Sequence, residues 1–170
     1  MAWINVLGGV AVLGSYAHGI ATQVDPGRVW GGVPIELQPV YTVSMFAAAF
    51  GYLLFTYFVF FRVDPATARI GSTPAYPLLN LLYVAALVPS ALWMPLTFAM
   101  LDAPSGGLWF AIRLVLAIVG LAALGIIYVL ARLEPDPGRG WRIAAVLGAV
   151  AFANQTALLD AIVWPAYFPV

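Results

Sequence analysis

The 170-residue chain has no cysteine and no lysine, and only 8% of its residues are charged. Without cysteine there is no disulfide, no thiolate nucleophile and no thiolate metal site, and the redox compartment leaves no signature. With no lysine, the seven basic residues are all arginine. Seven acidic residues balance them to a net charge of zero, so there is neither a basic face for nucleic acid nor an acidic tail. The chain also lacks a His–Glu metal cluster, a Ser–His–Asp set, a phosphate-cradling glycine loop and paired buried carboxylates. These absences argue against a conventional hydrolase or metalloenzyme, and no residue is assigned a catalytic role. No pair of matching halves with broken helices marks a transporter. The N-terminus lacks the positive region of a secretory signal and is read as a retained first span.

What the chain has is apolar surface. Hydrophobic residues make up 64% of it and mean hydropathy is +0.98. About 20 apolar residues cross a bilayer core, and five such runs occur, at roughly 3–22, 40–61, 76–101, 107–132 and 142–164. Linkers rich in Pro, Gly and Asp separate them. The expected fold is an all-α integral membrane protein, a single bundle of five transmembrane helices over residues 1–170. Arg62, Arg69, Arg132, Arg139 and Arg142 lie in the loops after spans two and four, whereas Arg28 and Arg113 lie toward the other side. By the positive-inside rule the five-arginine side, with the N-terminus, is cytoplasmic. The first loop and the C-terminus are then outside. That loop, "TQVDPGRVWGGVPIELQP", is long for a bundle connection, and long connections are often functional.

Three places could carry chemistry. In the third span, Pro89 and Pro95 interrupt an apolar helix, and Ala86, Ser90, Trp93 and Thr97 share one stripe. The stripe suits helix packing, with its hydroxyls bonding across helices, or the wall of a ligand site. In the fifth span, Asp160 is a carboxyl in an apolar helix and shares a face with Thr156 and Trp164. It reaches interfacial water, pairs with Arg113, or faces a ligand. His18, the one histidine, is a haem-iron ligand candidate or a helix-end residue. Trp3, Trp109, Trp141 and Trp164 fall near span ends, as an aromatic belt requires.

The layout, the Pro/Trp-bearing first loop and "SALWMPLTFAM" together resemble the translocator-protein family, whose bacterial members are the tryptophan-rich sensory proteins. Ser90, Trp93, Pro95 and Phe98 fall on that family's Asn, Trp–x–Pro and Phe pattern, with Ser in place of Asn. "QPVY" and "FGYLLF" are similar to its second helix. "TALLDAIVW" is similar to its fifth, with Asp160 at an Asn position and Trp164 at a Trp position. The first loop has one Trp where the family has several aromatics, and the basic residue of the sterol-recognition pattern is missing.

The resemblance implies an outward-opening cavity roofed by the first loop, and a protein that binds or senses a flat hydrophobic ligand, above all a tetrapyrrole such as protoporphyrin IX. It implies a porphyrin or haem-type ligand with no required cofactor, a homodimer, and a bacterial inner membrane. The ligand-binding residues it implies are Trp30 and Pro34 on the lid, Tyr41 and Tyr52 on helix two, and Trp93 and Phe98 on helix three. Helix five would add Thr156, Asp160 and Trp164. Asp160 would repel porphyrin propionates unless protonated or paired with Arg113. Two rival readings remain. One is a structural or assembly subunit of a membrane complex, offering the small-residue faces Ala47–Gly51 and Ala144–Gly148 to partner helices. The other is an enzyme acting on a lipid or porphyrin.

Overall fold

Each apolar run folds as a helix because about 1.5 Å of rise per residue lets such a run satisfy its own backbone while presenting side chains all round. A computed structural model describes residues 1–168, leaving Pro169 and Val170 of the expected outside C-terminus beyond the described residues. The helices are α1 (Ala2–Thr22), α2 (Gln38–Phe61), α3 (Ala75–Asp102), α4 (Gly106–Arg132) and α5 (Arg139–Ala153). The last continues as a π-helical segment, Asn154–Val163, and a final turn, α6 (Trp164–Tyr167). Among the described residues, five helices are thus long and apolar enough to cross a membrane.

Local chemistry sets several ends. Pro39 occupies the first turn of α2, where its missing N–H costs nothing. Ser105 caps α4 by accepting from the Leu108 N–H at 3.2 Å. Pro89 and Pro95 lie inside α3, which runs on through both.

Around the bundle the neighbours run α1–α3–α4–α5–α2. The helices of the remaining pair in that ring, α1 and α2, scarcely touch although they are adjacent in sequence. One of their links is Tyr52 on α2, whose hydroxyl donates to Asn5 Oδ1 on α1. Elsewhere the ring closes tightly. At the α2–α5 crossing a Cβ added to Gly148 would lie 2.8 Å from the Gly51 carbonyl oxygen. Only glycine permits that approach. The faces Ala47–Gly51 and Ala144–Gly148, which the subunit reading offers to partner helices, therefore meet each other through their glycines. Likewise, a Cβ on Gly120 of α4 would lie 2.9 Å from Ala157 Cα, so Gly120 makes room for the wider π segment.

The two ends of the bundle differ. At the five-arginine end a dense core joins Phe55, Phe58, Leu79, Tyr83, Ile126, Leu130 and Ala149. It is capped by a two-residue hairpin, β1 (Arg69–Ile70) with β2 (Thr73–Pro74). The hairpin is tied to the α4–α5 loop by reciprocal backbone bonds between Arg69 and Glu134 of 2.8 and 2.9 Å. At the other end, Val33, Tyr41, Met100, Ile112, Leu116, Trp164 and Phe168 form a smaller cluster beneath the first loop.

Candidate functional site

The first loop folds into a lid because its polar groups find partners along the rim. Asp25 accepts from the Gly27 N–H at 2.9 Å and starts a 3-10 turn, Pro26–Trp30. Arg28 reaches the end of α3, donating to the Leu101 carbonyl at 2.7 Å and to Asp102 at 3.2 Å. Gly32 N–H donates to the Tyr167 carbonyl at 2.9 Å. There a Cβ would meet that oxygen at 2.5 Å. The Trp164 indole donates to the Val29 carbonyl at 2.9 Å. The loop is thereby stitched to both α3 and the end of the fifth helix.

Beneath the lid lies a cavity of about 550 Å³ that all five long helices reach. Its lining includes Tyr16 from α1, Tyr41 and Phe46 from α2, Ser90 and Trp93 from α3, and Leu116 and Val119 from α4. Phe152, Gln155, Thr156, Asp160 and Trp164 complete it from the fifth helix, and Val29 and Trp30 from the lid. The lining residues that are themselves exposed, Leu13, Thr42, Met45, Phe46 and Ala49, all belong to α1 and α2. The cavity therefore opens sideways, through the gap where those two helices part. The outward opening implied by the resemblance is closed by the lid.

Aromatic rings make most of the wall. Trp93 meets Trp164 edge-on at 5.8 Å and Tyr16 at 5.9 Å, and Trp30 meets Tyr41 edge-on at 5.9 Å. Trp109 backs Trp164 at 6.2 Å and stacks on Phe168 at 5.4 Å. Polar groups gather on the fifth helix. The Gln155 amide donates to Asp160 Oδ1 at 2.7 Å. This pair is five residues apart, a spacing that the i→i+5 winding of a π-helix brings to one face. Tyr41 donates to the Leu159 carbonyl at 3.1 Å. Two buried polar atoms on lining residues lack a partner, the Trp93 indole nitrogen and Gln155 Oε1.

Of the nine residues expected to bind ligand, the structure brings six to the cavity: Trp30, Tyr41, Trp93, Thr156, Asp160 and Trp164. Three lie elsewhere. Pro34 opens the turn that leads into α2, its carbonyl accepting from Leu37 N–H at 2.9 Å. Tyr52 is eleven residues beyond Tyr41, about 16 Å along the helix, and packs edge-on against Phe55 and Tyr83 in the dense core. Phe98 is five residues from Trp93, so an α-helix turns it to another face. It packs where a Cβ on Gly19 of α1 would lie 2.7 Å away.

Other expectations are also corrected. Arg113 is exposed and its guanidinium sits 5.8 Å from the Trp109 ring; Asp160 takes Gln155 as its partner instead. The stripe hydroxyls bond within their own helix, Ser90 to the Ala86 carbonyl at 2.7 Å and Thr97 to the Trp93 carbonyl at 2.8 Å. Short hydroxyl side chains in a helix reach the carbonyl one turn back more readily than a neighbouring helix. Pro95 is exposed while Trp93 lines the cavity. His18 is exposed near the end of α1 and is not in the lining, so a haem in the cavity would find no imidazole there. Of the expected belt residues, Trp3 stands 76% exposed, whereas Trp164 is buried. Sequence reasoning missed Tyr16 and Gln155. A period of four along span five points past Gln155, and the π winding brings it back.

No family model, no curated protein and no solved structure matches this chain.

Proposed function

We propose that the protein is an integral membrane binding or sensory protein that holds a flat hydrophobic ligand in the cavity beneath the first loop. The observation that carries this reading is the cavity itself. It is of ligand size, apolar and aromatic over most of its wall, with a few polar groups gathered on one side, as small-molecule sites are. The membrane setting is supported by the helices' outer faces, where Leu7, Val10, Val43, Phe50, Leu53, Leu81, Leu121, Leu147 and Ile162 are exposed. So much exposed apolar surface marks a membrane or partner surface. The sideways opening would then give onto the bilayer, from which an apolar ligand could enter without crossing water.

Among flat ligands, the resemblance to the translocator-protein family names a tetrapyrrole such as protoporphyrin IX, and it adds a homodimer and a bacterial inner membrane. The arginine distribution supports a cytoplasmic dense end and an outside lid. The central test is a titration with protoporphyrin IX in detergent, followed by tryptophan emission. Saturable quenching at one site, weakened by Trp93→Phe, is the expected result. Absence of saturable quenching by porphyrins and by smaller flat aromatics alike would overturn the reading. Orientation is tested by reporters: one in the 134–140 loop should be cytoplasmic and one after Val170 outside.

A further inference from the structure

The cavity's polar side has one sign. Among its lining residues Asp160 is the one acid, and no arginine or histidine is among them. Asp160 has its Oδ1 engaged by Gln155, while Gln155 Oε1, beside it, accepts from nothing. The amide and the carboxyl thus offer acceptor oxygens and no protein cation to meet them. Around them stand Tyr16, Trp93 and Trp164, with Trp93 5.9 Å from Tyr16 and 5.8 Å from Trp164 between ring centroids, and a second pair, Trp30 and Tyr41, 5.9 Å apart. Aromatic faces attract cations through their quadrupoles, and rings enclosing a site are how alkylammonium groups are recognised. A carboxylated ligand would bring an anionic group beside the Asp160 carboxyl, at a site without a counter-cation.

We infer that the cavity selects, among flat hydrophobic ligands, those carrying an amine: a protonated nitrogen that donates to Asp160 and Gln155 while its aromatic body lies among the tryptophans. This inference rests on the proposed function and narrows its ligand class. The protonated amine supplies the missing countercharge, and its N–H groups satisfy the acceptor oxygens that the chain leaves open. Charge-assisted hydrogen bonds of this kind are about twice as strong as neutral ones. The same arrangement places propionate-bearing tetrapyrroles at a disadvantage against amine-bearing ligands of similar area.

The test compares three probes of one shape, pyrenemethylamine, methylpyrene and pyreneacetate, by energy transfer from tryptophan in neutral detergent. On the native protein the amine should bind roughly tenfold more tightly than methylpyrene, and the acid more weakly than both. Asp160→Asn keeps an acceptor for the Gln155 amide but removes the charge. It should lower amine affinity roughly tenfold, leave methylpyrene unchanged and improve the acid. Because the variant comparison uses one probe at a time, detergent partitioning cancels. Equal binding of the three probes, or an amine affinity untouched by Asp160→Asn, would overturn the amine preference and leave the flat-ligand reading standing. Binding of none of the three would overturn both. Should Asp160→Asn fail to fold, the order of the three probes on the native protein decides.

Discussion

The dense end of the bundle and the hollow end are built from the same five helices and similar numbers of aromatic rings, yet one is filled and the other is not. At the dense end rings meet rings inside a continuous core: Tyr52, Phe55, Tyr83 and Phe152 lie 5.3 to 6.0 Å apart. The Tyr83 hydroxyl is satisfied by Thr56 at 3.0 Å, and glycines draw α2 onto α5. At the hollow end Tyr16, Trp30, Tyr41, Trp93 and Trp164 surround an open space. Two lining residues there, Trp93 and Gln155, carry buried polar atoms without partners, where the dense half of α3 has one such atom, Asn80 Oδ1. Orphaned polar groups cost about 1–3 kcal/mol each. A fold tolerates them where something other than its own core sets the arrangement. The difference therefore separates residues that hold the bundle together from residues that wait for an occupant, and substitutions at each end should separate in the same way.

The largest effect belongs to the dense end. Gly148→Val would drive a branched side chain against the Gly51 backbone, where no flexible atom can yield. Overpacking of this kind costs about 3 kcal/mol or more, which for a chain of this size lowers the melting temperature by roughly 10 °C. Detergent thermal stability is the measurement. A variant as stable as the native protein would mean that α2 and α5 do not approach at these glycines.

Next comes the lid, which couples the two kinds of role. Deleting Gly31 to Glu36 removes Val33, which is buried against Trp164 and Phe168, and the Gly32 bond to Tyr167. Ligand affinity should fall at least tenfold with a loss of about 1–3 kcal/mol of stability. The milder Gly32→Ala, facing the Tyr167 carbonyl, should loosen the lid with little change in the dense core. Unchanged affinity across several flat aromatics in the deletion variant would reduce the loop to a connector.

Trp93 belongs to the hollow end alone. Trp93→Phe removes an indole donor that has no partner, so stability should hold or rise slightly. Affinity for a flat ligand should fall by about 0.5–1.5 kcal/mol, the value of a partial aromatic contact. Lost stability with intact affinity would move Trp93 into the packing of α3 against α1.

Much of this division was legible in the sequence and some of it was not. Helix positions follow from apolar runs longer than about 20 residues bounded by Pro, Gly and Asp, so the five helices could be read directly. Trp93, Asp160 and Trp164 stood out because a large indole and a carboxyl are conspicuous in apolar helices. The sites of Tyr52 and Phe98 were not legible, since the motif that singles them out says nothing of depth along a helix or of which neighbour a face meets. The π winding of Asn154–Val163 left no composition signal either. It accounts for the meeting of Gln155 and Asp160, five residues apart. The sideways gap was hidden for a similar reason: that two sequence-adjacent helices part depends on how α1 packs on α3, a non-local fact.

The smallest expected effects come from one substitution made twice on the same helix. Tyr41→Phe and Tyr52→Phe each delete a single hydroxyl from α2. At Tyr41 the loss removes one of two donors to the Leu159 carbonyl in the π segment, which keeps the Trp164 N–H, next to Asp160. At Tyr52 it leaves Asn5 Oδ1 without its donor and loosens a link between α1 and α2 at the dense end. Each should cost about 1 kcal/mol of stability, the net value of one hydrogen bond. Ligand affinity should distinguish them: reduced several-fold in Tyr41→Phe, where the cavity's polar side loses a support, and unchanged in Tyr52→Phe. A melting curve and a flat-ligand titration on both variants make the comparison. If Tyr52→Phe weakens binding as much as Tyr41→Phe, the cavity communicates with the dense core through the α1–α2 link, and the two ends do not act separately.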